Sequence, residues 1–351
     1  MGNIEKLADE VRRGLEQALP GLRKTILKKL PLAVAAMIEA RTPNTMELST
    51  VLPLATERAD MREQWLRRLL KNSLLEPATI LEPMGRQALQ QAGGSGQTIL
   101  LSMDQTDLGE RFAVLMLSVR TGDRALPLAW LVESGEANIG WTGQQRLLER
   151  VRNGLPEHAR VMLLADRFYP SAALFAWLKE ASWSYRIRLK GNLLVDVGDA
   201  AVTTTGDLAA GARERYEVDA RLFDAGIVTS IGVLHEPGHP QPWIIAMGQQ
   251  PNRASVLDYG ARWSIEPMFS DFKTRGFCLE STHLQAPDRL DRLLLIMTLA
   301  MYWCVHAGRS DALANPGPAE KKPGNRSTRI TGACERHIEV RSHGSSGVCD
   351  C

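Results

Sequence analysis

The sequence predicts an α/β fold: a mixed sheet carrying a β-rich insertion, preceded by an all-helical N-terminal domain. Three observations carry that prediction. From about residue 5 to 90 apolar side chains recur at three- and four-residue intervals, with breaks at Pro20, Pro31, Pro43, Pro53 and Pro77. After the linker GGSG at 93–96, three apolar runs of strand length follow one another, and helix then alternates with strand up to residue 190. From 192 to about 250 the alternation gives way to Gly, Thr and short β-prone runs, before helical patterning returns at 253–275 and 287–307. The domains are therefore expected at 1–95, at 96–310 with the insertion at about 192–250, and at 311–351, an irregular tail.

Composition excludes more than it assigns. The chain has 351 residues, 44% hydrophobic and 23% charged, which suits a globular protein and excludes collagen-like, coiled-coil and wholly disordered classes. Its 42 Lys and Arg nearly balance 40 Asp and Glu, so any affinity for nucleic acid must come from local patterning. Five cysteines, an odd number without metal-type spacing, point to a reducing compartment. The N-terminus MGNIEKLADEVRRGLEQALPG is amphipathic and bears both charges, unlike a secretory signal. The apolar run Leu293–Val305 is shorter than the roughly 18 to 20 residues a membrane helix requires, so a buried helix and a cytoplasmic protein without a membrane partner are expected.

Within the helical region, LPLAVAAMIEA, RTPN and TMELSTVLP have the outline of a helix-turn-helix, an outline that a plain helical hairpin shares. The helix ADMREQWLRRLLKN places Arg67, Arg68 and Lys71 on overlapping faces, with Arg62 upstream; the set is either a solvated face or a DNA-contacting one. TILLSMD (98–104), RFAVLMLSV (111–119) and ALPLAWLVE (125–133) form a meander, followed by the helix GQQRLLERVRNGL, the strand RVMLLAD (160–166), the helix SAALFAWLKEA and the strand SYRIRLK (184–190). Three antiparallel strands followed by alternating helix and strand give the order of a ribonuclease-H-like sheet.

Two acids end buried strands, Asp104 the first and Asp166 the fourth, where an α/β sheet places its chemistry. In the expected topology these strands are neighbours, and two close carboxylates need a cation between them, for which Mg²⁺ with its oxygen ligands is suited. Asp107, three residues on, reads as a turn residue. In DYGARWSIEPMFSDFKTRGF, at about 100° per residue, Tyr259, Arg262, Glu266 and Lys273 fall within an arc of about 60° on a helix flanked by Trp263, Ile265, Phe269 and Phe272. One acid, two bases and a phenol beside a core suit a phosphodiester: Glu266 completes a metal site, while Arg262 and Lys273 hold phosphate oxygens.

The spacing Tyr, two residues, Arg, three residues, Glu, six residues, Lys resembles the signature of the DDE transposases of bacterial insertion sequences, in the family numbered four. SMDQTD, LLADRFY and RWSIEPMF, around the three acids, are similar to that family in order and surroundings. The resemblance spans roughly residues 30–325. It implies that Asp104, Asp166 and Glu266 are the catalytic, metal-binding triad for two Mg²⁺ ions, with Mn²⁺ able to substitute. It further implies that Tyr259, Arg262 and Lys273 contact transposon-end DNA, that the N-terminal helices bind DNA, and that the enzyme cuts inverted-repeat ends and joins the 3′ hydroxyl to target DNA as a homodimer on paired ends. A nuclease, or a DNA-binding protein without strand transfer, are the alternatives.

Some relatives in that family pass through a hairpin; Trp243 is the aromatic candidate for it, although PWIIAMG also reads as a strand core. Arg167 and Lys190 are candidate phosphate contacts beside the acids. Pro267 interrupts the helical ladder directly after Glu266. From about Asn325 the sequence departs from the family, with three of the five cysteines in the last 18 residues; the tail is expected to be disordered or altered, and Cys349 and Cys351 with His337 and His343 form a weak metal-type pattern.

Overall fold

The computed structural model describes residues 2–314 except Asp123, Asp199, Ala200 and His239, with side chains through Ser310 apart from Thr274. Of the expected tail, only the backbone to Ala314 is described, and Cys349, Cys351, His337 and His343 lie outside the described residues.

Six helices precede the sheet: α1 (Asn3–Ala18), α2 (Lys24–Leu27), α3 (Leu30–Ala40), α4 (Thr45–Thr50), α5 (Ala59–Leu70) and α6 (Pro77–Ala92). Helix α1 buries Leu7, Ala8, Val11 and Leu15, one stripe at helical spacing. Helix α3 opens with Pro31 in its first turn and buries eight of its eleven residues, so it is a core element. It ends at Arg41 in the left-handed region (φ 55°), and Asn44 then caps α4 by accepting from the Met46 N–H at 3.0 Å.

Ten strands form one mixed sheet: β1 (Ile99–Leu108), β2 (Phe112–Thr121), β3 (Arg124–Ser134), β4 (Val161–Ala165), β5 (Ser184–Arg188), β6 (Leu194–Asp196), β7 (Thr203–Thr204), β8 (Glu214–Leu222), β9 (Ile227–Leu234) and β10 (Trp243–Met247), in the order 3-2-1-4-5-10-9-8-6-7. Strands β1 to β3 form an antiparallel meander, while β4 runs parallel to β1 and β5 parallel to β4. The parallel crossovers use α7 (Trp141–Arg152) and α8 (Ala172–Glu180). Strand β2 is buried on both faces from Phe112 to Val119, which its unbroken apolar run anticipates. This mixed α/β architecture fits a ribonuclease-H-like domain. The β-rich stretch expected at 192–250 supplies β6 to β10 and α9 (Thr205–Ala209). It joins the main sheet by antiparallel pairing of β10 with β5.

The chain closes with α10 (Arg253–Leu257), α11 (Ile265–Ser270) and α12 (Pro287–Ala314). The segment Pro287–Ser310 passes the length and apolarity test for a membrane span, yet 67% of its most apolar window is buried inside the fold. Leu290 and Leu293–Met297 are fully covered, by β3, α3, α5 and α6. One apolar core therefore runs from Leu7 on α1 to Cys304 on α12, and the N-terminal helices share it with the sheet.

Candidate active site

The pairing of β1 with β4 stops at Met103 opposite Ala165, so the next residue of each strand is an acid, Asp104 and Asp166. Asp104 does not close its strand, as the sequence suggested. Strand β1 continues to Leu108 because its other edge stays paired with β2, Asp104 facing Met116 and Asp107 facing Ala113. Asp107 is accordingly a strand residue and not the expected turn residue; the turn follows at Gly109, with φ +56°. What ends at Asp104 is the contact with β4, and that opening leaves its mostly buried carboxylate near the charge of Asp166.

The segment expected as one helix over 253–275 changes type along its length. Helix α10 passes into a 3₁₀ stretch at Asp258–Ser264, then α11, then a π-helical turn at Asp271–Arg275. The uniform 100° step therefore fails across it. Pro267 falls in the first turn of α11, directly after the 3₁₀ stretch, and the chain passes through it in helical conformation. In the 3₁₀ stretch, residues three apart eclipse, which stacks Tyr259 and Arg262 with the guanidinium 5.8 Å from the ring centroid. The buried Arg186 of β5 ties this corner down, donating to the carbonyls of Ser255 at 2.7 Å and Tyr185 at 2.8 Å.

Arg262 joins two of the three acids. It donates to Asp104 Oδ2 at 2.9 Å and to Glu266 Oε1 at 3.1 Å, its own side chain 9% exposed against 59% for Glu266. Tyr259 donates to Asp166 Oδ1 at 3.4 Å. Tyr169, which sequence reasoning missed, donates to Asp104 Oδ1 at 3.4 Å. Its only sequence signal is its place three residues after Asp166, in the turn that closes when its N–H reaches Asp166 O at 3.2 Å. Burial pushes the Asp104 carboxyl up, with the Asp166 charge adding to it; Arg262 and the Gln105 N–H oppose the shift. Burial also raises both phenols well above the ordinary tyrosine range, which keeps them hydrogen-bond donors. For Arg262, burial alone would favour loss of the proton; the nearby Tyr259, Asp104, Asp166 and Glu266 outweigh it and hold the guanidinium charged.

Of the remaining sequence candidates, Arg167 and Trp243 border this cluster, the Arg167 N–H donating to Asp166 Oδ1 at 2.6 Å, and among the described residues the others make no ion pair with its acids. Lys273 donates to Asp107 O at 2.8 Å and lies 3.7 Å from Glu280, so it fastens the π turn to the end of β1. Trp243 packs edge-on to Tyr259 at 5.5 Å and to the half-exposed Trp263 at 5.4 Å, as a partly buried wall of the site. Arg67, Arg68 and Lys71 are exposed on or just after α5, Arg67 pairing with Glu63 at 2.7 Å. Arg62 points inward and donates to the carbonyls of Ser49, Thr50, Leu52 and Thr56, closing the α4–α5 loop. Helix α4 exposes Met46, Glu47 and Thr50, none of them basic.

The donors at the site are carboxylate oxygens, which suits a hard divalent cation. A guanidinium lies between Asp104 and Glu266, so the place between these acids already carries positive charge. Among the described residues no three His, Cys, Asp or Glu side chains stand close enough to hold a metal ion, and Arg262 lies between two of the acids.

No curated protein matches the chain. A family model described as the transposase DDE domain matches residues 109–303, more than half of the chain and including Asp166, Tyr259, Arg262, Glu266 and Lys273, but beginning just after Asp104. With two acids where β1 parts from β4 and a third on the helical segment facing them, the chain belongs to the transposases of the DDE type.

Proposed function

We propose that this transposase is of the insertion-sequence family numbered four and that it cuts the terminal inverted repeats of its element and joins the freed 3′ hydroxyl to target DNA. The observation that carries the reading is that the 3₁₀ stretch and α11 face the two strand acids, Arg262 bonding Asp104 and Glu266 while Tyr259 bonds Asp166. Asp104, Asp166 and Glu266 would hold Mg²⁺, or Mn²⁺ in its place, which when bound polarises the phosphoryl group and activates the attacking oxygen. Arg262 neutralises the acids in the absence of substrate. Releasing one of them turns its fork of donors toward a phosphate oxygen, where bidentate hydrogen bonding is strongest. Tyr169 and Tyr259, held protonated, orient the carboxylates of Asp104 and Asp166. Arg67, Arg68 and Lys71 on the α5 face supply sequence-independent phosphate contacts, and Lys273 adds another once it leaves Asp107 and Glu280. Two copies on paired ends form the active assembly.

The test is a joining assay with the full chain, a duplex bearing the DNA that flanks its own coding sequence, labelled on the strand to be transferred, and a plasmid target. Label covalently attached to the plasmid supports the reading. Cutting without joining would make the protein a nuclease, and binding without cutting a DNA-binding protein; either result overturns the proposal.

A further inference from the structure

Tyr259 belongs to two parts of the molecule at once. Its hydroxyl donates to Asp166 just past β4, while its buried ring packs with Leu234 of β9, Ile245 and Met247 of β10 and Val256 of α10, in a small core separate from the main one. The ring is therefore seated on the β-rich stretch, and the hydroxyl reaches across to the strand that carries the acid.

That seat is held from two sides. Arg186 of β5, fully buried, donates to the Ser255 carbonyl at 2.7 Å. The next residue, Val256, is also fully buried and rests on Gly232 inside β9, where Gly232 faces Tyr216 of β8 on one side and Ile245 of β10 on the other. A Cβ at Gly232 would stand 2.3 Å from Val256 Cγ2 and 3.2 Å from Met247 Cε. Methionine can turn its end aside, but a β-branched side chain in a helix has essentially one rotamer, and Val256 is enclosed. Carbon atoms rest about 3.5–4.0 Å apart, so α10 would have to retreat by more than about 1 Å. Glycine inside a strand gives up side-chain packing, a loss that marks a close approach of another element. Three residues after Val256 comes Tyr259, whose bond to Asp166 at 3.4 Å has little slack, and three further on comes Arg262, which bonds Asp104 and Glu266.

We infer that Gly232 is a positioning residue for the reaction: by admitting Val256 onto β9 it sets the depth of the 3₁₀ stretch, and with it the reach of Tyr259 to Asp166. The inference rests on the proposed reaction, in which Tyr259 orients the Asp166 carboxylate. A displacement of about 1 Å at such a group can cost on the order of a hundredfold in rate.

The experiment uses the full chain carrying 3-fluorotyrosine, whose five tyrosines supply the ¹⁹F resonances, that of Tyr259 identified by Tyr259→Phe. Gly232→Ala should shift the Tyr259 line and leave that of Tyr302, bonded to Pro127 O on β3, in place. It should also lower kcat for cutting in Mg²⁺ by roughly 10- to 100-fold with the affinity for end DNA unchanged. Gly232→Ala combined with Val256→Ala moves one methyl group across the contact, and should return the line to its parental position and recover most of the rate. Val256→Ala alone, which opens space and adds none, should move the Tyr259 line as well, so the seat is tested even where Gly232→Ala does not fold. A Tyr259 line that stays put in either single variant, or a double variant no nearer the parent than Gly232→Ala, would overturn the proposal and leave the glycine a role in folding alone. A chain that cuts no DNA yet shows these shifts would sink the proposed reaction and leave the seat standing. One that cuts while the line stays put would do the reverse.

Discussion

Arg262 is the residue on which the site turns, because it occupies the place between Asp104 and Glu266 that a cation would take. Arg262→Gln removes both the competing charge and the ties on the acids. Such a variant should bind Mn²⁺ several-fold more tightly in a spin-resonance titration while cutting DNA more slowly; weaker Mn²⁺ binding would contradict the wedge. Far from the site, the half-buried Asp291 accepts from Trp130 Nε1–H at 2.7 Å, and burial raises its carboxyl, with the Asp288 charge adding to the shift. A raised folded value contributes stability that is fully present below the ordinary aspartate pKa of about 3.9 and is lost as pH rises through the shifted one. Asp291→Asn, which keeps an acceptor for Trp130, should therefore gain in melting temperature relative to the parent as pH rises from about 4 to 7. A constant gap would show that the burial cost is absent. At this scale the acids were legible in sequence, since Asp104 and Asp166 each follow an apolar run. The partners were not, because Arg262 meets Asp104 across 158 positions and Tyr169 meets it across 65.

Among elements, the strands of the meander and of the parallel pair were readable because apolar runs bounded by turn residues leave little choice of register. The helical segment carrying Tyr259, Arg262, Glu266 and Lys273 was readable as helical but not in phase. Its 3₁₀, α and π stretches rotate each residue by different amounts, and that succession is set by packing and by Pro267. The overrun of β1 past Asp104 was hidden too, since SMDQTD is polar and its strand character comes from pairing with β2. The π turn closes where Asp271 O accepts from Phe277 N–H at 2.8 Å, and a Cβ on Gly276 would stand 2.3 Å from that same oxygen. Gly276→Ala should cost about 2–3 kcal/mol in urea denaturation and displace Lys273 from β1. An unchanged midpoint would mean that the turn is not held there.

For the whole molecule, the N-terminal helices share the core of the sheet: α3, α5 and α6 pack on α12. A fragment covering residues 96–314 should then fail to show the cooperative melting of the full chain, because the apolar faces of β3 and α12 would lie open; a fragment that melts at the parental temperature would contradict the shared core. The near-zero net charge conceals a local division of labour: acids gathered where β1 parts from β4, cations on the exposed face of α5. The proposed reaction depends on those acids. Purified full chain and its Asp104→Ala, Asp166→Ala and Glu266→Ala variants, each shown to fold, should be incubated with DNA carrying the element's ends with and without Mg²⁺. The parent should cut only with the cation, and each variant should lose activity by roughly a thousandfold or more; cutting that survives in the variants, or proceeds equally in EDTA, would contradict it.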